Sequence, residues 1–176
     1  MTASPAGAPH AVLNALPMEA ARQALASCCG ARRWVAGMLA RRPFASSEAL
    51  HAAAAEVWQG LERADFLEAF AHHPRIGERA DARAADAAAA TGRAWSAEEQ
   101  ARAAAAPDEA TRLRALNQEY AERFGYIFII CATGKSAAEI LAALRARLPH
   151  DPEAELAIAA AEQAQITHLR LEKLAR

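Results

Sequence analysis

Alanine decides more about this chain than any other residue. It supplies 52 of the 176 positions and far outnumbers Val, Ile and Thr, which together number 15. Alanine is the best helix former and fills a strand poorly, whereas β-branched residues do the reverse. The sequence therefore predicts an all-α fold, and its length suits a single compact multi-helix domain. Hydrophobic residue types make up 53% of the chain, but only 42 residues are apolar and larger than alanine. Those 42 must form the core.

Charge and cysteine content narrow the function classes. With 20 basic and 21 acidic residues the net charge is −1, which argues against a bulk electrostatic nucleic-acid binder and leaves room for a local basic site. The longest apolar run, Tyr126 to Ala132, is far too short for a membrane span. The N-terminus lacks a basic segment followed by an apolar one, and Leu174-Ala175-Arg176 is not a peroxisomal address. Cys28, Cys29 and Cys131 form no disulfide framework and no zinc-ligand spacing; they read as small buried hydrophobes in a reducing, cytoplasmic setting.

Residues 1–9, rich in Ala, Pro and Gly, read as a flexible arm ahead of a helical domain over 10–176. Asn14 reads as a helix cap with Pro17 in the first turn, and Gly30 divides the helical pattern that follows. Arg41-Arg42-Pro43-Phe44 stops it, and Ser46 or Ser47 caps the next helix, with Leu50, Ala54, Val57, Trp58 and Leu61 on one face. Asp65 is expected to begin a short helix. Residues 80–94, nearly all Ala, Arg and Asp, favour a helix but have little to anchor it, which predicts a mobile or weakly docked piece. Ser96-Ala-Glu-Glu99 has the pattern of a capping box and predicts a helix start at Ser96. Asp108 to Phe124 reads as a helix stopped by Gly125. Tyr126 to Ala132 reads as a buried extended piece or a helix start, since it has no second run to pair with. Gly134-Lys135-Ser136 lacks the partner glycine of a phosphate loop, Ile129 standing in its place, so Ser136 reads as a cap. Asp151 or Pro152 starts the last helix.

Two segments carry polar residues with no evident structural task. His72-His73-Pro74-Arg75-Ile76-Gly77 places imidazoles, which exchange protons near neutral pH, on a turn stiffened by Pro and Gly. A surface loop that happens to hold two histidines explains the same residues. Ser96 to Gln100 offers Glu99 and Gln100 beside helix-start amides that favour an anionic group. A plain helix start explains it equally. Glu68, His72 and His73 also allow a metal-dependent helical hydrolase, although no His-Glu-x-x-His pattern supports it. The non-enzymatic alternative is a helical interaction module with an Ala-rich surface helix.

The ordered set of motifs resembles the 2-oxo-4-hydroxy-4-carboxy-5-ureidoimidazoline (OHCU) decarboxylase family. The matching residues are Arg33-Trp34-Val35, Arg42-Pro43-Phe44, Phe70 to Gly77, Ser96 to Gln100, Leu116 to Tyr120, Arg123 to Ala132, Arg147-Leu148 and Ile166 to Leu171. The resemblance runs collinearly from about residue 12 to the C-terminus. It implies an all-helical, usually dimeric, cofactor-independent carboxy-lyase of urate degradation, acting on a small-molecule substrate. It implies catalytic roles for His73, the histidine directly before Pro74, and for Glu99. It implies substrate contacts from Pro74, Ser96, Gln100, the segment Ile127, Phe128, Ile129, Ile130, Cys131 and Ala132, and a late arginine. Arg170 is the best match for that arginine and Arg147 the fallback. In this picture His73 polarises the substrate hydroxyl or carboxylate, Glu99 and Gln100 hold ring and ureido nitrogens, amides after Ile127 bind the ring carbonyl, and the arginine pairs with the anion.

Overall fold

The computed structural model describes residues 7–75, 87–99 and 107–175, apart from the side chains of 87–89. Its elements are α1 (Pro9–Ala15), α2 (Met18–Cys28), α3 (Arg32–Ala40), α4 (Ser47–Gln59), α5 (Arg63–Ala71), α6 (Ala87–Glu99), α7 (Pro107–Phe124), α8 (Ala137–Arg147) and α9 (Pro152–Lys173). Among the described residues there is no strand, as the alanine excess predicts. No described helix is long and apolar enough to cross a membrane.

Two apolar cores meet at α9. The first gathers α1 to α4 around Leu13, Leu25, Trp34, Met38 and Leu50, and takes Ala160 and Leu171 from α9. The second gathers Phe70, Leu113, Tyr120, Phe128, Ile140 and Leu144, and takes Leu156, Ala159 and Ile166 from α9. A helix buried on both sides needs small residues where neighbours approach closely, and the alanines of α9 meet that need. Trp34 is wholly buried, and its indole N–H donates to Ala54 O at 3.2 Å. Trp58 likewise ties α4 to α9 through Ala160 O, also at 3.2 Å.

Several helix boundaries follow the sequence signals. Ser46 accepts from Ala49 N at 3.1 Å, Ser136 forms a capping box with Glu139, and Asp151 accepts from Glu153 N at 3.0 Å. Gly125, at φ 79°, ends α7 in the left-handed conformation that glycine adopts without penalty. The run from Tyr126 to Ala132 is a buried stretch without regular secondary structure.

Other boundaries differ. The first helical pattern is three helices rather than two. α1 begins at Pro9, the last residue of the expected arm, and residues 1–6 lie outside those described. Asn14 is not a cap: it sits inside α1, where its side chain clasps the Phe44 backbone, accepting from N at 2.9 Å and donating to O at 2.8 Å. Arg42 donates to Leu16 O at 2.6 Å and Asn14 O at 3.1 Å, satisfying carbonyls at the C-terminal end of α1. Asp65 does not begin α5 but occupies its third position, accepting from Glu62 N at 2.9 Å. The part of the 80–94 stretch that is described, from Ala87 on, is one continuous helix docked against α2. Its Gly92 is buried, 3.4 Å separating an ideal Cβ there from Ser27 O, and Trp95 packs on the first core.

Candidate active site

The largest correction concerns Ser96. It opens no helix; it lies within α6, whose Ala-rich first half has enough helix propensity to run straight through it. Its hydroxyl donates to Gly92 O at 3.0 Å, the preceding turn of its own helix. No helix-start amides are therefore presented at Ser96, and Glu99 stands at the C-terminal end of α6 instead.

Four segments place their side chains around one cleft. It is lined by His73 and Pro74 after α5, by Ser96 and Glu99 of α6, by Phe128, Ile129, Ile130 and Ala132, and by Ile166 of α9. Its open volume is about 20 Å³, room for about one water. Arg170, 3% exposed, is bonded to two of the lining residues, Ser96 and Glu99. Its Nε donates to Glu99 Oε1 at 3.1 Å and its Nη2 to Glu99 Oε2 at 3.0 Å, a two-pronged pairing with the geometry that makes such contacts strong. Nη2 also donates to Ser96 Oγ at 2.7 Å. Lys173 donates to Glu99 Oε1 at 3.2 Å, so this carboxylate is shared by two cations.

His73 sits two residues past the end of α5, with its N–H donating to Phe70 O at 3.1 Å. Burial drives its imidazole down to about 3, the Arg170 cation adds to the effect, and Gln163 opposes it. At neutral pH the ring is uncharged, with one nitrogen able to donate and one to accept. His72 has a different task. An ideal Cβ on Gly30 would lie 2.2 Å from His72 Cγ, so only glycine admits this ring against the backbone between α2 and α3.

The wall from Phe128 to Ala132 is pinned from behind. Arg147 Nη1 donates to Ile129 O at 2.8 Å, and its guanidinium lies over the Phe128 ring, 4.5 Å from the centroid. The Cys131 amide donates to Glu162 Oε2 at 2.7 Å, and Lys135 donates to Cys131 O at 2.7 Å. The Cys131 amide is thus already engaged, and neither Cys131 nor Ile127 lines the cleft. Of the two late arginines, Arg170 reaches Ser96 and Glu99, whereas Arg147 pairs with Glu155. Gln100, Ile76 and Gly77 lie outside the described residues.

The metal arrangement does not assemble. Glu68 accepts from Arg32 N at 3.0 Å and pairs with the Arg32 side chain, while His72 packs on Gly30. Among the described residues, no group of three or more His, Cys, Asp or Glu side chains is placed to hold a metal ion. Burial raises the Cys28 and Cys29 thiols, leaving them poor nucleophiles. A larger cavity of about 110 Å³, lined by Trp34, His51, Trp58, Thr167 and His168 among others, contains none of the residues expected from the sequence to act on substrate.

Sequence reasoning missed Ile166 in the lining and Gln163 beside His73. The available signal was a polar row on an otherwise apolar helix face: Gln163, Thr167 and Arg170 fall at i, i+4 and i+7 of α9, and all are buried.

Comparison with known proteins identifies the family and the fold. The OHCU decarboxylase family profile matches residues 14–172. A 2-oxo-4-hydroxy-4-carboxy-5-ureidoimidazoline decarboxylase of Amia calva is 35% identical over 136 residues, covering 76% of this chain and 74% of that one. The uric acid degradation bifunctional protein TTL of Arabidopsis thaliana is 36% identical over 160 residues. The match takes in 90% of this chain and 48% of the plant protein, so the chain spans about half that relative's length. A crystal structure of OHCU decarboxylase in the presence of (S)-allantoin superposes with a TM-score of 0.73 at 35% identity, over 86% of this chain and 96% of that one.

Proposed function

The chain belongs to the OHCU decarboxylase family, and from that premise we propose that it converts 2-oxo-4-hydroxy-4-carboxy-5-ureidoimidazoline to (S)-allantoin and CO₂ in urate degradation. The observation that carries this reading is the convergence of His73, Ser96 and Glu99 on one apolar-walled cleft, with Arg170 paired to Ser96 and Glu99 beside it.

The substrate needs no external electron sink. As the bond to the carboxylate breaks, its electron pair moves into the adjacent ring bond and on to the imine nitrogen, which takes a proton. The enol left behind then loses its hydroxyl proton while the ureido-bearing carbon gains one, giving the ring carbonyl and one stereocentre. One proton is consumed overall. Neutral His73 accepts a hydrogen bond from the substrate hydroxyl and takes its proton as the enol collapses. Arg170, steadied by the Ser96 oxygen that accepts from it, holds the carboxylate out of the ring plane, and Glu99, facing the ring, accepts from the ring N–H groups. Apolar Phe128, Ile129, Ile130 and Ile166 keep the leaving CO₂ and the carbanionic carbon away from bulk water. Pro74 fixes the direction of His73, and Gln100 and Ala132 complete the proposed contact set, whereas Ile127 and Cys131 stand outside the lining. We further assign the protein a homodimeric state and a cytoplasmic location, the latter in keeping with three free, buried cysteines.

The test couples urate oxidase and hydroxyisourate hydrolase to the protein and follows the appearance of dextrorotatory allantoin by circular dichroism. The wild type should outrun spontaneous decay. His73→Ala and Glu99→Ala should each lose about 10²–10⁴-fold in rate while remaining folded. Turnover unchanged in His73→Ala removes the assignment.

A further inference from the structure

Gln163 is wholly buried on α9, less than one turn before Ile166, which lines the cleft with His73, and it acts on the His73 imidazole as a hydrogen-bonding neighbour. The neighbouring Thr167 fixes which way its amide points. Thr167 Oγ1 lies 3.0 Å from Gln163 O, a carbonyl that can only accept, so the hydroxyl proton is committed there. The hydroxyl oxygen then accepts from Gln163, which identifies the group 3.2 Å away as the Nε2 amide. The Gln163 Oε1 is left buried with no hydrogen bond of ordinary length. A buried carbonyl oxygen without a donor is costly, and the His73 ring is the group placed to relieve it.

We propose that Gln163 is a positioning residue that fixes His73 in one tautomer, with an N–H toward the Gln163 Oε1 and the other ring nitrogen left as an acceptor for the ligand. The ordering runs in one direction, from the Gln163 backbone carbonyl through the Thr167 hydroxyl and the Gln163 amide to the imidazole. A ring free to choose would spend part of its time as the wrong tautomer and present an N–H to a substrate hydroxyl that must itself donate. The Arg170 cation and the neighbouring His72 both disfavour a doubly protonated ring, so the choice lies between the two neutral forms. The catalytic half of this inference rests on the proposed decarboxylation; the tautomer half does not.

The experiment uses the full chain labelled with ¹⁵N-histidine, with the His73 signals identified by their loss in His73→Gln. Long-range ¹H–¹⁵N correlation should show one pyrrole-type and one pyridine-type nitrogen at His73. Gln163→Met should collapse these toward averaged shifts and lower kcat by about 10- to 100-fold with KM little changed, as expected when the partner that orients a functional imidazole is lost. Gln163→Glu keeps the acceptor and adds charge; it should retain the tautomer and move the His73 titration upward. Thr167→Val frees the amide to flip and gives a second route to the same averaged spectrum if Gln163→Met does not fold. Unchanged His73 shifts in Gln163→Met or Thr167→Val overturn the proposal even if the wild type is an active decarboxylase. A wild type that lacks the activity but shows the expected shifts overturns the functional reading and leaves the tautomer assignment standing.

Discussion

Glu155 offers the sharpest test of how the cleft wall is held. It is wholly buried, and three groups converge on it: the Tyr120 hydroxyl, the Arg147 guanidinium and His150 Nδ1 at 2.9 Å. Arg147 is itself 6% exposed; its Nε donates to Glu155 at 2.7 Å while Nη1 holds Ile129 O. Glu155→Gln keeps the shape and one acceptor but leaves the Arg147 charge buried without a counter-ion. Removing one partner of a buried pair costs about 3–5 kcal/mol, and the retained amide oxygen places the expected loss near the low end, about 3 kcal/mol. For a chain of this length each kcal/mol moves Tm by about 2–4 °C, so Tm should fall by about 6–12 °C. Urea titration gives the free energy directly from the shift in midpoint at unchanged slope. The control is Arg147→Met combined with Glu155→Leu, which removes both charges and should return stability to within about 1 kcal/mol of wild type. The double variant should stay poorly active, because Ile129 O has lost its donor. A Glu155→Gln protein within about 1 kcal/mol of wild type, or a double variant no better than the single, refutes the reasoning.

Two further outcomes follow from the geometry. Gly30→Ala drives a methyl group into the His72 ring, so His72 must move and take the start of the His73 segment with it. The variant should lose about 1–3 kcal/mol by thermal melting and on the order of 10²-fold in kcat; wild-type values for both would show that His72 has room the structure does not give it. The second concerns pH. The folded His73 binds its proton only near pH 3, while the unfolded chain binds it near 6.5, so its contribution is complete above about pH 6.5 and declines as pH falls toward 3. Allowing for the partial exposure of the ring, wild type should lose on the order of 1 kcal/mol more than His73→Asn between pH 7 and pH 5. His168, also lowered by burial, acts in the same direction in both proteins and cancels in the comparison. Parallel stability curves for the two would remove the neutral buried imidazole.

Local signals were legible in the sequence wherever one residue type answers one backbone need. Ser46, Ser136 and Asp151 cap their helices, and Gly125 terminates α7, because each boundary is decided within about four residues. Ser96 shows where this reasoning fails. Ser-x-x-Glu is a capping box only if the chain before it is not helical, and here thirteen residues of helix include it. The same two side chains instead meet Arg170, 71 and 74 positions away, a pairing no local pattern reports. Asn14 and Arg42 were misread or unread for the same reason: their partners, Phe44 and the end of α1, lie about thirty residues away. The ordered motifs nevertheless placed His73, Pro74, Ser96, Glu99 and Arg170 in one set, and the fold brings these five together. Gln163 belongs to no motif, and its one signal, the polar row it forms with Thr167 and Arg170 along α9, acquires meaning only once that face is known to be buried.

The Arg170–Glu99 pair has a consequence for how any anion enters. Among the described residues, the cation beside the cleft is not idle: Arg170 is already neutralised by Glu99, with Ser96 and Lys173 completing the arrangement. On the proposed reading, uptake is an exchange of counter-ions, in which the newcomer displaces Glu99 and the displaced carboxylate turns toward whatever donors the newcomer carries. Its strength is the difference between two pairings rather than the whole of either. Simple anions, offering nothing for the liberated Glu99 to accept, gain little by the trade and should inhibit weakly. A ligand bearing both a carboxylate and N–H groups satisfies both ends of the broken pair at once, so the resting ion pair selects for the two functions together.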